Sequence, residues 1–259
     1  MTVTGERVTT ATGGFNPTWQ RHVAAYAAAA AFLPPEGRVL DLGAGVGHSY
    51  DRLAPRETVG VDLDAEALRG QARETVVADM RDLPFPDRSF ASLASIQSIE
   101  HVPDPGRALA EAGRVLEPDG VAVFITPNRL TFGPPDEIID PYHYVEYDRH
   151  QLAAVVSGWF AEVEVHGLFG SARYLELVAE ERRTLDVLLA LDPLRVRRAL
   201  PRAVAQRVYD WRLTRARVAN GDPRPAAITA DDFHVGDEDL DTCLDLIAVA
   251  RRPLRHAPL

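Results

Sequence analysis

The sequence contains no lysine and only one cysteine, and each shortage removes a class of site. A phosphate-binding P-loop requires a lysine, so this chain cannot contain one. The single cysteine, Cys243, excludes an internal disulfide and any zinc site built on a cysteine cluster. The N-terminus shows no signal-peptide pattern, and the apolar stretch at residues 24–31 is too short to cross a bilayer. These shortages predict a protein of the reducing cytoplasm with no membrane span.

The charge of the chain is strongly negative. Its 38 acidic residues outnumber 28 arginines and give a formal net charge of −10, which argues against a general nucleic-acid-binding surface. Hydrophobic content of 46% and charged content of 25% are those of an ordinary globular protein. A length of 259 residues favours one α/β domain with an insertion over two independent domains.

Apolar runs alternate with amphipathic segments along most of the chain. The predicted strands are residues 38–42, 58–63, 75–78, 90–96, 121–126, 161–168 and 242–251. The predicted helices between them are residues 17–32, 47–53, 65–73, 105–116 and 148–160. This alternation is typical of βαβ units. The predicted fold is α/β, a Rossmann-like, doubly wound, mostly parallel seven-stranded sheet with a helical insertion before the last strand.

The alternation predicts four segments. Residues 1–36 form an N-terminal helical segment, and residues 37–168 form the core. Residues 169–235 form a helical lid or substrate insertion, and residues 236–259 supply the final strand. Ten arginines lie between positions 182 and 217. They suit an anionic ligand, or a solvated face paired with neighbouring acids, and the insertion could also form a subunit contact.

A glycine-rich turn follows the first predicted strand in the stretch VLDLGAGVGHS. Its glycines, Gly43, Gly45 and Gly47, have the spacing G-x-G-x-G. A dinucleotide-binding turn would need its third glycine at the position of His48. Asp41 beside the turn would repel a pyrophosphate but suits an ammonium or sulfonium group. The turn therefore predicts a cationic or zwitterionic cofactor.

An acidic residue ends the second predicted strand. Asp62 lies nineteen residues after Gly43, where a carboxylate can accept hydrogen bonds from a ribose diol. It could instead cap the following helix, but Asp64, directly before Ala65, is the better cap candidate. Asp62 is therefore predicted to be available for a ligand.

Six motifs occur in a fixed order: VLDLGAGVG, GVDLD, ADMRDLPFPDRSF, SIEHVPDP, RVLEPDG and ITPNR. In that order they resemble the motifs of class I S-adenosylmethionine-dependent methyltransferases, over about residues 37–165 and the last strand. The nearest branch is the small-molecule O-methyltransferases typified by ubiquinone biosynthesis. The resemblance implies S-adenosylmethionine as cofactor and an enzyme that moves a methyl group to a small-molecule hydroxyl by in-line displacement.

The resemblance also implies where the cofactor is bound. The residues at its methionine end would be Arg21, Asp41, Gly43, Gly45, Ile96 and Gln97. Among them Arg21 would reach the carboxylate from the N-terminal segment 1–36, which would cover the cofactor site. Asp41 would lie near the amino group. Asp62 would bind the ribose hydroxyls, Leu63 would pack on the adenine, and Asp79 with the backbone of Met80 would contact the adenine amino group.

Two histidines follow predicted strands four and five. His101 and His143 are the candidate general bases for a hydroxyl acceptor. Related O-methyltransferases hold a divalent metal with an E-x-x-E-H segment, which would make Glu100 and His101 metal ligands here. Gln97 replaces the first carboxylate, so a magnesium ion is not favoured. Glu100 and His101 could instead simply organise the turn before Pro103.

Two other functions remain open from the sequence. The ITPNR motif and the histidines would also suit an RNA 2′-O-methyltransferase, although the net charge of −10 opposes RNA binding. A non-catalytic cofactor-binding module whose insertion contacts a protein partner would carry the same glycine turn. A small-molecule acceptor is the favoured partner.

Overall fold

A twisted sheet forms the centre of the molecule. The computed structural model describes residues 15–132, 138, 140–190, 204, 206–207 and 222–254. Its strands are β1 (Arg38–Leu42), β2 (Glu57–Asp62), β3 (Glu74–Val77), β4 (Phe90–Ile96), β5 (Leu116–Pro127), β6 (Phe160–Gly170), β7 (Phe233–Gly236) and β8 (Asp245–Pro253). Their order across the sheet is β3-β2-β1-β4-β5-β8-β6-β7. The first five are mutually parallel, whereas β8 pairs antiparallel with both β5 and β6, and β7 pairs antiparallel with β6.

Helices cover both faces of this sheet. They are α1 (Asn16–Phe32), α2 (Ala65–Leu68), α3 (Pro105–Val115), α4 (Arg129–Phe132), α5 (Arg149–Ser157) and α6 (Ala172–Ala190). Short 3-10 turns occur at Tyr50–Leu53, Ile99–His101, Pro225–Ala227, Ala230–Asp232 and Leu240–Thr242. The arrangement is the doubly wound α/β fold that the sequence predicts.

Alternate residues of each strand point into two separate hydrophobic cores. Leu40 of β1 and Phe124 of β5 belong to the core that α3 and α5 cover. Val39 and Val123, one position earlier on the same strands, belong to the core that α1 covers. The alanines of α1 are small enough to let its backbone approach β4 and β5 closely.

The predicted strands match the structure closely, but their number is eight rather than seven. The strand missed by the sequence analysis is β7, which has four residues and a glycine at its end. So short a segment shows no period-two pattern that distinguishes it from a loop. Because β7 pairs with β6, part of the predicted insertion belongs to the core sheet.

Two predicted helices are much shorter than expected. Residues 47–53 form only a 3-10 turn, because Ser49 adopts a left-handed conformation with φ of 63° just before it. The helix predicted for residues 65–73 ends at Leu68, and Gly70 with φ of 80° turns the chain away. Asp64 caps this short helix as predicted, since its carboxylate accepts a hydrogen bond from the Glu66 N–H.

The predicted insertion begins with a long helix, α6. No described helix is long and apolar enough to cross a membrane. Two arginines of the 182–217 group lie on α6 and Arg207 is also described. The others lie outside the described residues: Arg195, Arg197, Arg198, Arg202, Arg212, Arg215 and Arg217. The lid, the subunit contact and the domain boundaries stay predictions.

A buried ion pair joins β1 to the segment before β3. Arg73 Nη1 lies 2.7 Å from Asp41 Oδ2, and the two side chains are 4% and 1% exposed. The Tyr26 hydroxyl donates to the same carboxylate at 3.1 Å, and the Arg73 guanidinium lies 4.1 Å from the centre of the Tyr50 ring. This pair fixes α1, β1 and the 70–73 turn relative to one another.

Arg73→Gln is expected to lower the free energy of unfolding by about 3–5 kcal/mol, because it leaves the Asp41 carboxylate buried without its cation. Urea denaturation measures the change. The matched control is Arg252→Gln, whose ion pair with Glu162 is 68% and 49% exposed. It should leave the free energy of unfolding nearly unchanged, because water screens an exposed ion pair. Equal losses in the two variants would show that the buried pair contributes no more than a surface pair.

Candidate active site

The order of the strands reverses between β1 and β4. Open α/β sheets bind ligands in a crevice at the carboxyl ends of the strands at such a reversal, and we call this place the crevice. The glycine turn of residues 43–47 meets the loop after β4 here. A Cβ on Gly43 would lie 2.2 Å from Ser98 Oγ, and Gly43 has φ of 83°. Only glycine therefore allows the two loops to approach this closely.

The turn is held by hydrogen bonds from its own backbone. The N–H groups of Gly43 and Ala44 both donate to the Val61 carbonyl at 2.8 Å. The Gly45 N–H donates to Asp62 Oδ2 at 2.8 Å, and Gln71 donates to the Gly45 carbonyl at 2.9 Å. A Cβ on Gly45 would meet no atom within 4 Å. The backbone at Gly45 is thus fixed in place and faces open space that a ligand can fill.

Asp62 shapes this turn as well as facing the crevice. Its Oδ1 accepts a hydrogen bond from the Asp64 N–H at 2.9 Å while Oδ2 accepts from Gly45. A carboxylate offers about four lone-pair positions, so these bonds orient the group and leave capacity for ribose hydroxyls. The sequence predicted Asp62 as a ligand-binding residue but not its bond to the turn.

Apolar side chains beyond Asp62 are unusually exposed. Leu63 is 68% exposed and Val77, at the end of β3, is 55% exposed. Asp79 forms an ion pair with Arg81, with Nη2 and Oδ2 2.6 Å apart, and the hydrogen bonds from Arg81 lower the pKa of this carboxyl. Met80 Cε lies 3.7 Å from the Cβ position of Gly43. An apolar platform with an acid beside it suits an adenine ring.

Three predicted residues lie on the opposite side of the turn. Ile96 ends β4 and is buried, and Gln97 follows it with a left-handed backbone, φ 51°. Gln97 Nε2 donates to Asp245 Oδ1 at 2.5 Å. Arg21 of α1 binds the same carboxylate with Nε at 2.7 Å and Nη2 at 2.6 Å. The structure therefore brings Arg21 and Gln97 together through Asp245, a residue that the sequence analysis did not single out.

Asp41 lies apart from this group. Its carboxylate is fully buried and engaged by Arg73 and Tyr26. Burial raises the pKa of Asp41, and the Arg73 cation partly opposes that increase. The pair carries no net charge, so the choice between a phosphate and a sulfonium cannot rest on Asp41. Its predicted contact with the cofactor amino group stays a prediction.

A histidine also lies beside the glycine turn. The His48 ring centre is 3.6 Å from that of Trp19 and 5.6 Å from that of His22, both on α1. Burial, together with the nearby His22, lowers the pKa of His48 to about 3. Burial also lowers the pKa of His22. Both imidazoles are therefore neutral at physiological pH.

The loops after β4 and β5 bring the two predicted bases together. The ring centres of His101 and His143 are 5.0 Å apart. A ligand atom of each, with one of Glu100, forms a set whose members all lie within 4.8 Å of one another. Glu100 is buried, and its Oε2 accepts a hydrogen bond from Thr126 at 3.0 Å. Its Oε1 has no hydrogen-bond partner.

Neighbouring groups orient both imidazoles. His101 Nδ1 lies 3.3 Å from the Tyr142 carbonyl, and His143 Nδ1 lies 3.0 Å from Glu146 Oε1. A carbonyl and a carboxylate can only accept here, so both Nδ1 atoms carry hydrogen and the neutral tautomers keep the lone pair on Nε2. Burial alone would lower the pKa of His143, but Glu146 and the charges of Glu100 and Asp140 raise it.

Comparisons with known proteins bear on this crevice. A family model described as a methyltransferase domain matches residues 40–124. A Mycobacterium tuberculosis protein described as a probable S-adenosylmethionine-dependent methyltransferase is 32% identical over 266 residues, covering 98% of this chain and 90% of the relative. The chain belongs to the S-adenosylmethionine-dependent methyltransferase family.

Other similarities to this methyltransferase are more distant. A demethylmenaquinone methyltransferase of Renibacterium salmoninarum is 32% identical over 130 residues, covering 48% of this chain and 53% of the relative. A crystal structure of an S-adenosylmethionine-dependent methyltransferase of Thermotoga maritima has a TM-score of 0.59 at 17% identity and covers 91% of each chain. The latter similarity establishes the shared fold.

The crevice of the methyltransferase fits S-adenosylmethionine. Gly45 presents bare, fixed backbone to open space, Asp62 is oriented beside it, and Leu63 exposes an apolar side chain. Gln97, predicted at the methionine end, turns its amide toward Asp245. The roles of the individual residues toward the cofactor and the acceptor stay predictions.

The free energy of unfolding of the methyltransferase is expected to fall as the pH drops below about 6.5. Unfolded His48 takes up a proton near that pH, whereas the folded ring takes it up only near its lowered pKa of about 3, so acid favours the unfolded chain. His48→Gln removes this proton uptake and should make the decline between pH 6.5 and 4.5 shallower. Urea denaturation across that range measures both proteins. Parallel curves would show that His48 titrates alike in the folded and unfolded chains.

Proposed function

We propose that this methyltransferase methylates a hydroxyl group of a small, largely apolar molecule, with His101 and His143 at the acceptor. The observation that carries the proposal is the meeting of these two imidazoles, 42 positions apart in the sequence. His101 lies on the loop after β4, whose Ser98 meets the glycine turn. Both keep a lone pair on Nε2 in the neutral tautomer, as a general base requires.

The protein's part in the chemistry is alignment and proton removal. S-adenosylmethionine, when bound, supplies a methyl group already activated on a sulfonium. An imidazole Nε2 would accept the hydroxyl proton as the acceptor oxygen takes the methyl group, whose bonding electron pair would remain with the sulfur. His101 is the better candidate for this step. The carboxylates around His143 favour its protonated form and suit it to hold the acceptor or relay the proton.

The acceptor is proposed to be apolar because of an aromatic contact of His143 and the exposed apolar side chains on the segment that carries it. The Phe132 ring centre lies 5.2 Å from that of His143. Three large apolar or aromatic side chains of the segment after β5 are more than 40% exposed: Leu130, Ile138 and Tyr144. The similarity to a demethylmenaquinone methyltransferase agrees with an apolar, quinone-type ring. The prediction of an anionic acceptor depends on the ten arginines between positions 182 and 217, and seven of them lie outside the described residues.

The other functions that the sequence left open have less support. An RNA acceptor would require a basic surface, and the chain carries a net charge of −10. A non-catalytic module would have no use for two imidazoles oriented through their Nδ1 atoms.

A panel of phenols, hydroquinones and aliphatic alcohols tests the proposal. Each is incubated with the enzyme and cofactor carrying a 13C-labelled methyl group. Mass spectrometry detects transfer, and the carbon chemical shift of the product distinguishes O-methyl from N- and C-methyl. Methylation of an apolar hydroxyl compound is expected. Transfer to nitrogen only, or to RNA only, would refute the proposal.

His101→Gln is expected to lower kcat by a factor of about 10²–10⁴, because a general base contributes about that much. The dissociation constant for S-adenosylhomocysteine should stay at the wild-type value, since His101 serves the acceptor. His150→Gln, at an exposed position on α5, is the control and should retain full activity. Wild-type kcat in His101→Gln would exclude His101 as the base.

A divalent metal ion is the second candidate for activating the acceptor. The unpartnered, buried Glu100 Oε1 favours it, because Glu100 with His101 and His143 could supply three ligand atoms. Such an ion would act as a Lewis acid and lower the pKa of the acceptor hydroxyl. The amide of Gln97 would not join this set, because it is bonded to Asp245.

Dialysis against EDTA separates the two candidates. If His101 acts as the base alone, the dialysed enzyme should keep its activity, and elemental analysis should find no stoichiometric metal. Loss of activity that returns with magnesium or manganese would instead assign Glu100, His101 and His143 as ligands. Glu100→Gln would then abolish metal binding.

A further inference from the structure

One fully buried carboxylate organises the methionine end of the crevice. Asp245, the first residue of β8, is 0% exposed. Its Oδ2 accepts from Arg21 Nε at 2.7 Å, and its Oδ1 accepts from Arg21 Nη2 at 2.6 Å and from Gln97 Nε2 at 2.5 Å. Three donors from two distant segments therefore converge on one side chain.

The geometry of Arg21 depends on this carboxylate. The Asp245 carboxylate accepts two hydrogen bonds from the guanidinium, one on each oxygen. Nη2 also donates to the Leu244 carbonyl at 2.9 Å. The charge of Asp245 helps to raise the pKa of Arg21 above its ordinary value against the opposing effect of burial. The guanidinium also forms a hydrogen bond with Tyr174, and 15% of the Arg21 side chain remains exposed. The guanidinium is therefore held in one orientation, and its exposed part can face a ligand.

Gln97 is fixed in a similar way. Its N–H donates to the Ile125 carbonyl at 2.7 Å, and its backbone is held at a φ of 51°. That conformation is uncommon for a residue other than glycine, so surrounding contacts must maintain it. The bond to Asp245 sets the direction of the side chain.

We propose that Asp245 is a positioning residue that orients Arg21 and Gln97 toward the amino-acid end of S-adenosylmethionine without touching the cofactor itself. The inference rests on the proposed placement of these two residues at that end. Arg21 and Asp245 together are electrically neutral, as is the zwitterionic amino-acid group of the cofactor. Binding therefore depends on the direction of the hydrogen bonds rather than on net charge.

Two ligands of the same crevice test this proposal by calorimetry. S-adenosylhomocysteine carries the amino-acid group, whereas 5′-methylthioadenosine has the same thioether nucleoside without it. Asp245→Asn keeps the shape of the side chain but replaces one acceptor oxygen by an amide that faces donors. We expect it to weaken S-adenosylhomocysteine binding by about tenfold or more, as for hydrogen bonds to charged groups, and to leave 5′-methylthioadenosine binding unchanged.

The matched control is Asp232→Asn. Asp232 is also a buried aspartate held by both Nε and Nη2 of one arginine, Arg173, but it makes no bond to Arg21 or Gln97. This variant should bind both ligands as the wild type does. It thereby separates the loss of an arginine pair at a buried aspartate from the loss of positioning, although Arg173 itself is 56% exposed.

A double variant covers the case in which Asp245→Asn does not fold. Arg21→Gln/Asp245→Asn leaves no unpaired charge in the interior and should show the same selective loss of S-adenosylhomocysteine binding. Wild-type affinity for this ligand in either folded variant, or an equal loss for both ligands, would overturn the proposal. A wild-type chain that bound neither ligand would instead refute the cofactor site itself.

Discussion

Buried carboxylates that share their hydrogen bonds among several segments hold the carboxyl edge of the sheet together. Asp41, Asp62, Asp245 and Glu100 all lie at this edge, and three of them are almost completely buried. A buried carboxylate is costly unless donors surround it. The donors come from α1, from the glycine turn and from strand β5. The buried carboxylates therefore find their hydrogen-bond donors only when these segments are assembled. The crevice is formed when the chain folds, and not by the ligand alone.

Much of the fold could be predicted from the sequence, because strands buried on both faces read as apolar runs. β4 is found with the predicted bounds, Phe90–Ile96, and β1 likewise. The errors in the predicted helices and strands occur where the backbone conformation, and not the hydrophobic pattern, decides the local structure. Helix formation after β1 is delayed by the left-handed Ser49, and β7 is too short to show a period. Neither feature produces a signal in hydrophobicity.

Site residues could be predicted from the sequence where they interact with neighbours along the chain. They could not be predicted where the interaction depends on the order of the strands in the sheet. The glycine turn and the cap at Asp64 follow from neighbouring residues. The partner of Arg21 lies 224 positions away, and nothing in a linear pattern pairs the two residues. One signal for Asp245 was nevertheless present, because an aspartate interrupts the apolar run CLDLIAVA. A charged residue at the start of a buried strand needs a partner, and that requirement could have identified Asp245 as a candidate site residue.

The crevice is divided into two parts that are built differently. The part proposed for the cofactor consists of fixed backbone and carboxylates whose donors come from the core, so substitutions there are expected to disturb the fold as well as binding. The part proposed for the acceptor is carried by loops, and it is joined to the core through Glu100. The N–H groups of Tyr144 and Val145 both donate to the Glu100 carbonyl, at 2.8 and 3.3 Å, while the Glu100 side chain reaches Thr126 of β5. Side chains of the acceptor loop can therefore change with the substrate, provided that these backbone bonds keep His143 beside His101.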